Sequence, residues 1–252
     1  MGRDAHPRSL AGAGSRQLSF SASLEARFLR RYQRFFADVE TASGEKLTVH
    51  CANPGSMLGF HLPGARVRCS RSDDPARKLP HTLEMMRIGR SWVGLHTGRA
   101  NAVVAEALAA GVPRALAGYS SVRREVAVEH EGLRARLDFR LEAPRRRAAW
   151  LEVKSVTLAE GRLALFPDSV TLRGRRHLAL LSSLRARGER AALLFLVQRD
   201  DCDAVAPADA IDPAYGAALR EAAARGVELL ALGARVSPRG IRVLRELPVR
   251  LP

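Results

Sequence analysis

Along residues 18–97 apolar and polar positions alternate with a period of two, in short runs broken by Gly and Pro. Residues 27–40 read as a strand pair or one bent strand. A Ser43-Gly44 turn leads into a strand at 47–51, and further strands fall at 65–69, 81–88 and 92–96. About five strands within roughly eighty residues suit a small barrel of OB-fold size. The period then changes. Residues 101–110 predict a helix stopped at Gly111, and residues 122–129 a strand that turns at Glu131-Gly132. Residues 134–155 follow as two alternating runs joined by a Pro- and Arg-rich turn. After Lys154 a loop is expected to about residue 170. Thr171 is positioned to cap a helix that runs to Arg187 and stops at Gly188. Residues 191–198 form a strongly apolar strand ending at Gln198, 212–225 an amphipathic helix, and 227–232 and 241–247 two more strands. The expected fold is therefore α+β in two domains. An OB-fold-like β-barrel spans 18–97, and an α/β domain with a mixed sheet spans 98–252. Residues 1–17 carry no apolar period and read as a disordered extension.

The pair of runs at 134–155 carries the chemistry. Alternation places Leu133, Ala135, Leu137, Phe139 and Leu141 on one face, with Arg136, Asp138 and Arg140 on the other. In the second run Leu151 and Val153 share a face, and Glu152 and Lys154 share the opposite one. If the strands pair, Asp138, Glu152 and Lys154 converge on one polar patch. Two carboxylates can hold a hard cation such as Mg²⁺ or Mn²⁺, which takes oxygen ligands and keeps several waters. The metal would polarise a phosphoryl oxygen and acidify a bound water, and a neighbouring ammonium would orient that water. Asp followed by Glu-x-Lys on the next strand is the arrangement of PD-(D/E)XK nucleases. A surface Glu–Lys pair is the plainer alternative.

Composition sharpens the picture. Of the 41 Lys plus Arg residues only Lys46, Lys78 and Lys154 are lysines, so an ammonium stands where this chemistry wants a point charge in a chain that otherwise uses Arg. The net charge of +15 points to a polyanion partner, DNA or RNA first, although a coding bias toward Arg would account for part of it. Cys51, Cys69 and Cys202 are not in paired spacing, which suits a reducing cytoplasm, with nucleoid association as a variant, and argues against a zinc site. No apolar run reaches membrane-span length.

Arg27, Arg30 and Arg31 interleave with Phe28, Tyr32 and Phe35, the mixture a single-strand-binding surface needs; the rings as core and the arginines as a solvated face is the other reading. Asn53 and Ser56 sit in a turn from which they could donate to a phosphate. Glu106, the lone acid of its helix, could be a further carboxylate at the metal patch. Arg173, Arg176 and His177 stand at a basic helix start suited to phosphate.

HCANPGSM (50–57), RKLPHT (77–82), LDF (137–139), EVKSVTL (152–158), FPDSVTLRGRRHL (166–178), IDPAY (211–215) and GVELLA (226–231) together resemble the sugar fermentation stimulation protein A family. The resemblance runs from about Ser19 to the end. It implies an N-terminal OB-like domain, a C-terminal PD-(D/E)XK nuclease-like domain, DNA binding, and a regulatory role in sugar, especially maltose, metabolism. It places the acid and base pattern on Asp138, Glu152 and Lys154, with the Val153 carbonyl as a further metal ligand and Glu106 as a looser member. It maps the Arg-Gly-x-x-His segment to Arg173, Gly174 and His177. Ala135 and Ser56 depart from common family residues and touch none of the expected ligands.

Overall fold

The computed structural model describes residues 8–9, 17–130 and 132–252. Most of the expected extension at 1–17 lies outside the described residues. The parts that are described belong to the sheet of the second domain. Arg8–Ser9 (β1) and Gln17–Ser19 (β2) both pair antiparallel with the last strand of the chain. The barrel therefore begins after residue 19, and the segment assigned to its start is an edge of the other domain.

Alternation builds the barrel. Leu24–Tyr32 (β3) and Phe36–Thr41 (β4) form a hairpin, the strand pair expected at 27–40. Lys46–His50 (β5), Arg66–Arg71 (β6), His81–Ile88 (β7) and Ser91–Gly94 (β8) follow. The order is β5-β4-β3-β6-β7-β8, and a parallel bridge between His50 and Thr82 closes β5 onto β7. Every second residue points inward: Ala26 and Phe28, Val39, Val49, Val67, Leu83 and Val93 share one core. Phe28 is thus core, whereas Phe35 is exposed.

A short 3₁₀ turn leads into α1 (Ala100–Ala109), then Ser121–His130 (β9), Leu133–Glu142 (β10) and Ala149–Val156 (β11). The loop expected after Lys154 is not structureless. Ala159–Glu160 (β12) and Leu163–Phe166 (β13) form a small sheet with a later strand, Ala204–Pro207 (β15). Between them lie α2 (Leu172–Ala186) and Arg190–Val197 (β14). The chain ends with α3 (Pro213–Ala224), Glu228–Ser237 (β16) and Gly240–Glu246 (β17).

The large sheet runs β1-β17-β16-β14-β11-β10-β9 and is mixed: β11, β14 and β16 are parallel and the outer strands antiparallel. Helices cover both faces, so β14 is buried on both. Ala192, Leu194 and Leu196 join the core under α1, while Leu193, Phe195 and Val197 join the core under α2 and α3. The domains are joined by contacts as well as by chain. Gly94 of β8 donates to the Gln198 carbonyl just past β14 (2.9 Å). Asp168, in the loop before α2, accepts from Met57 N (3.0 Å) and Ser56 Oγ (3.2 Å) of the barrel. Gly55 permits this, because a Cβ there would stand 2.7 Å from the Asp168 carboxylate.

Candidate active site

Strand β10 pairs with β11 only as far as Phe139 opposite Leu151. At Asp138 the two strands part. The expected alternation breaks there too: Ala135 and Leu137 pack into the core under α2, but Phe139 and Leu141 pack into the core under α1. Opposite the break, Glu125 of β9 holds φ at +52°, a conformation unusual for a non-glycine residue. The strand thus switches faces at Asp138. The freed carboxylate accepts from Val153 N (2.7 Å, Oδ2) and Asn101 Nδ2 (2.6 Å, Oδ1).

Glu152 stands on the other strand, buried beneath the start of α2. Its Oε1 accepts from Lys154 Nζ (2.6 Å) and is bonded to His177 Nδ1. Lys154 Nζ also lies 3.3 Å from that nitrogen. With Nδ1 donating to Glu152, His177 Nε2 is the acceptor for Arg173 Nε at 3.4 Å. The other oxygen, Glu152 Oε2, is buried with no partner among the described residues. Asp138, Glu152 and Lys154 therefore converge, and His177 joins them as a fourth member.

The two acids are held in opposite electrostatic states. Burial, then the charge of Glu152, pushes Asp138 up to about 6 against the pull of the Val153 and Asn101 bonds. Burial works against the Glu152 carboxylate as well, but the His177 bond and the Lys154 ammonium outweigh it and hold its pKa below the usual range. An uncompensated buried lone pair on one acid, and a neighbour whose ionisation is resisted, form a donor set that a divalent cation would complete. Among the described residues no three His, Cys, Asp or Glu side chains gather as a larger metal cluster. A cation here would rely on two carboxylates and water, as Mg²⁺ does.

The local sequence explains the placement. Thr171 caps α2, its Oγ1 accepting from Gly174 N (3.0 Å). Asp212 caps α3 through Tyr215 N (2.9 Å) and also accepts from Thr171 N (2.8 Å), so the two helix starts are tied together. Gly174 lets them close up: a Cβ there would meet Thr171 at 2.8 Å and the Tyr215 ring at 3.0 Å. This sets His177 over Glu152 and leaves Arg173 and Arg176 exposed. With Arg134 and Arg136 they line a cleft of about 450 Å³ that reaches His177.

The other expected site residues have different surroundings. Glu106 is half-buried on α1 without a bond to the cluster; Asn101 is the α1 residue that reaches Asp138. Arg31 donates to the Arg34, Asn53, Gly55 and Ser56 carbonyls, which fixes the turn instead of facing solvent. Arg30 pairs with Asp38 (2.7 Å) and lies over the Tyr32 ring, and Arg27 donates to the Gly64 carbonyl. Asn53 Oδ1 accepts from Gly55 N, and Ser56 Oγ donates to the Asp168 carbonyl (2.5 Å), so the serine hydroxyl serves the join between domains. Arg134, Arg136 and Asn101 are not among the site residues expected from the sequence. The first two were visible as part of the Arg-rich run around Asp138, whereas nothing local marked Asn101.

Two family models match the chain: one described as the SfsA N-terminal OB domain over residues 29–95, and one as the sugar fermentation stimulation protein RE domain over residues 98–240. A sugar fermentation stimulation protein homolog of Pseudomonas paraeruginosa is 55% identical over 230 residues, covering 90% of this chain and 97% of that one. One from Geobacter metallireducens is 50% identical over 223 residues, covering 88% and 95%. A solved structure of Pyrococcus furiosus SfsA in complex with Ca²⁺ superimposes with a TM-score of 0.82 at 26% identity, covering 94% of this chain and all of that one.

Proposed function

The chain belongs to the sugar fermentation stimulation protein family, and from that premise we propose that it binds nucleic acid, DNA first, and hydrolyses phosphodiester bonds at the Asp138–Glu152–Lys154 site. The observation that carries the reading is Glu152: one oxygen is fixed by Lys154 and His177, and the other is buried without a partner. Asp138 and Glu152, with the Val153 carbonyl, would hold a divalent cation, Mg²⁺ or Mn²⁺. The related Pyrococcus furiosus SfsA was solved in complex with Ca²⁺, a cation that takes oxygen ligands. When bound, the cation supplies charge for the phosphoryl oxygen and acidity for a water.

The chain's own groups do the rest. Lys154 Nζ donates to the attacking oxygen and offsets charge building on the phosphate. His177 keeps Glu152 turned so that its free oxygen faces the site. Arg173, Arg176, Arg134 and Arg136 hold the neighbouring phosphates in the basic cleft. A regulatory role in sugar metabolism, as the family resemblance implies, would act through the same binding.

The test is incubation of the purified protein with labelled single- and double-stranded DNA and RNA, with Mg²⁺, Mn²⁺ or EDTA, beside Lys154→Ala and Asp138→Asn. The expected result is metal-dependent cleavage reduced on the order of 10²-fold or more in both variants, with binding retained. Cleavage of RNA alone would make the protein an RNA-trimming enzyme. Binding without cleavage under every metal, unchanged in the variants, would retire the catalytic assignment and leave a regulator on a nuclease scaffold.

A further inference from the structure

Two cavities border the candidate site, one at His177 and one at Ser155 of β11, and they differ in charge. The basic cleft reaches the site through His177 and is lined by Arg134, Arg136, Arg173 and Arg176. The second begins at Ser155, one residue past Lys154, and extends between the domains to the Asn53–Gly55 turn of the barrel, enclosing about 270 Å³. No Lys or Arg lines it. Its one ionisable group is Asp168, whose carboxylate accepts from Met57 N and Ser56 Oγ.

The walls of this second pocket are divided by type. Val156, Leu158, Phe166 and Pro167 give an apolar shelf. Polar groups share the lining: the Asn53 side-chain amide and the hydroxyls of Thr157 and Ser169. An apolar surface with a few donors and acceptors beside it is what a neutral heterocycle needs. A phosphate would meet no cation there and one carboxylate. The size is selective too, since the volume falls below the range of about 300–1,000 Å³ usual for drug-sized ligands.

We propose that this interdomain pocket receives a single unstacked nucleobase with its sugar, from the strand whose adjoining phosphate lies at Glu152 and Lys154. The basic cleft would then carry the backbone on the other side, so that charge alone sorts the polymer: phosphates toward the arginines, the base toward the neutral pocket. The substrate class is nucleic acid with unpaired nucleotides, meaning single strands, frayed ends or a base turned out of a duplex. This rests on the nucleic-acid reading given above.

The test is an abasic scan. Single-stranded oligonucleotides, each lacking the base at one position, are titrated against the full chain in EDTA, and the same preparation is assayed for cleavage with Mg²⁺ and Mn²⁺. The expected result is one position at which base removal weakens binding about tenfold, the order of one stacked base. In Ser169→Trp, which puts a large side chain into the pocket lining, intact and abasic strands should bind alike. Thr157→Val, which removes a hydroxyl at constant size, should reduce the discrimination while leaving thermal stability and the salt dependence of binding as they were. A flat scan in a protein that cleaves would overturn the pocket and leave the catalytic reading standing. A position-dependent scan without metal-dependent cleavage would do the reverse. Failure to bind any nucleic acid would overturn both.

Discussion

At the scale of single residues, the pair Asp138 and Glu152 makes a prediction with a definite sign. An aspartate in the unfolded chain titrates near 3.8, and Asp138 in the fold near 6. Between those values the folded chain holds the extra proton. The contribution of Asp138 to stability is therefore fully present below pH 3.8 and is lost as pH rises through 6. With metal absent, the stability of wild type relative to Asp138→Asn should fall by about 2 kcal/mol from pH 4 to 6.5, measured by urea denaturation. Saturating Mg²⁺ or Ca²⁺ should reverse the trend, because a bound cation favours the charged carboxylate. A difference that stays flat with pH would sink the account of burial plus the Glu152 charge. The acids and lysine of this site were legible in sequence because strand alternation fixes which side chains can meet. His177 was legible as a basic helix start, but its role as a clamp on Glu152 was not, since it depends on how closely Gly174 lets α2 approach α3. The switch of faces at Asp138 was illegible for a similar reason: it coincides with the positive φ of Glu125 on the neighbouring strand, which the local pattern does not show.

At the scale of elements, the join between barrel and sheet rests on a turn and a loop. Asp168→Ala would leave Met57 N without its acceptor, at a cost of about 1–3 kcal/mol for a partly buried donor. Gly55→Ala should also destabilise, since its methyl would stand 2.7 Å from the Asp168 carboxylate. The two costs should not add: once the carboxylate is gone, the methyl has room. A double-mutant cycle in urea should return a coupling of about 1 kcal/mol, and strict additivity would mean the turn and the loop are independent. The Asn53-Pro54-Gly55-Ser56 turn was visible in sequence as a turn. Its job was not, because the partner lies more than a hundred residues further on. The same limit hid β12 and β13. They are too short to display alternation, and β13 is a strand by virtue of pairing with β15. Residues 17–19 were hidden likewise, since a three-residue strand exists only through its pairing with β17. Long elements with their own caps, such as α2 behind Thr171 and α3 behind Asp212, could be read directly.

At the scale of the whole molecule, a net charge of +15 does not say which arginines meet a polyanion. The structure separates them by what they already bind. Arg31 is engaged with carbonyls of its own domain, Arg30 with Asp38, and Arg190 with Glu228. Arg173 and Arg176 are exposed and line the basic cleft with Arg134 and Arg136; Arg173 makes a long 3.4 Å bond to His177 Nε2, and Arg134 stands 4.0 Å from the exposed Glu129. A guanidinium that contacts a phosphate releases counterions when the strand binds, so it contributes to the slope of log K against log salt; one committed to an internal carbonyl does not. Arg173→Ala with Arg176→Ala should therefore lower the slope by about 1.4 for a single strand, roughly 0.7 for each lost contact. Arg31→Ala should leave the slope unchanged and lower the melting temperature instead, because it strands carbonyls of the 53–56 turn. Should both substitutions lower the slope equally, the charge acts as a diffuse field over the surface, and the cleft has no special claim on the strand.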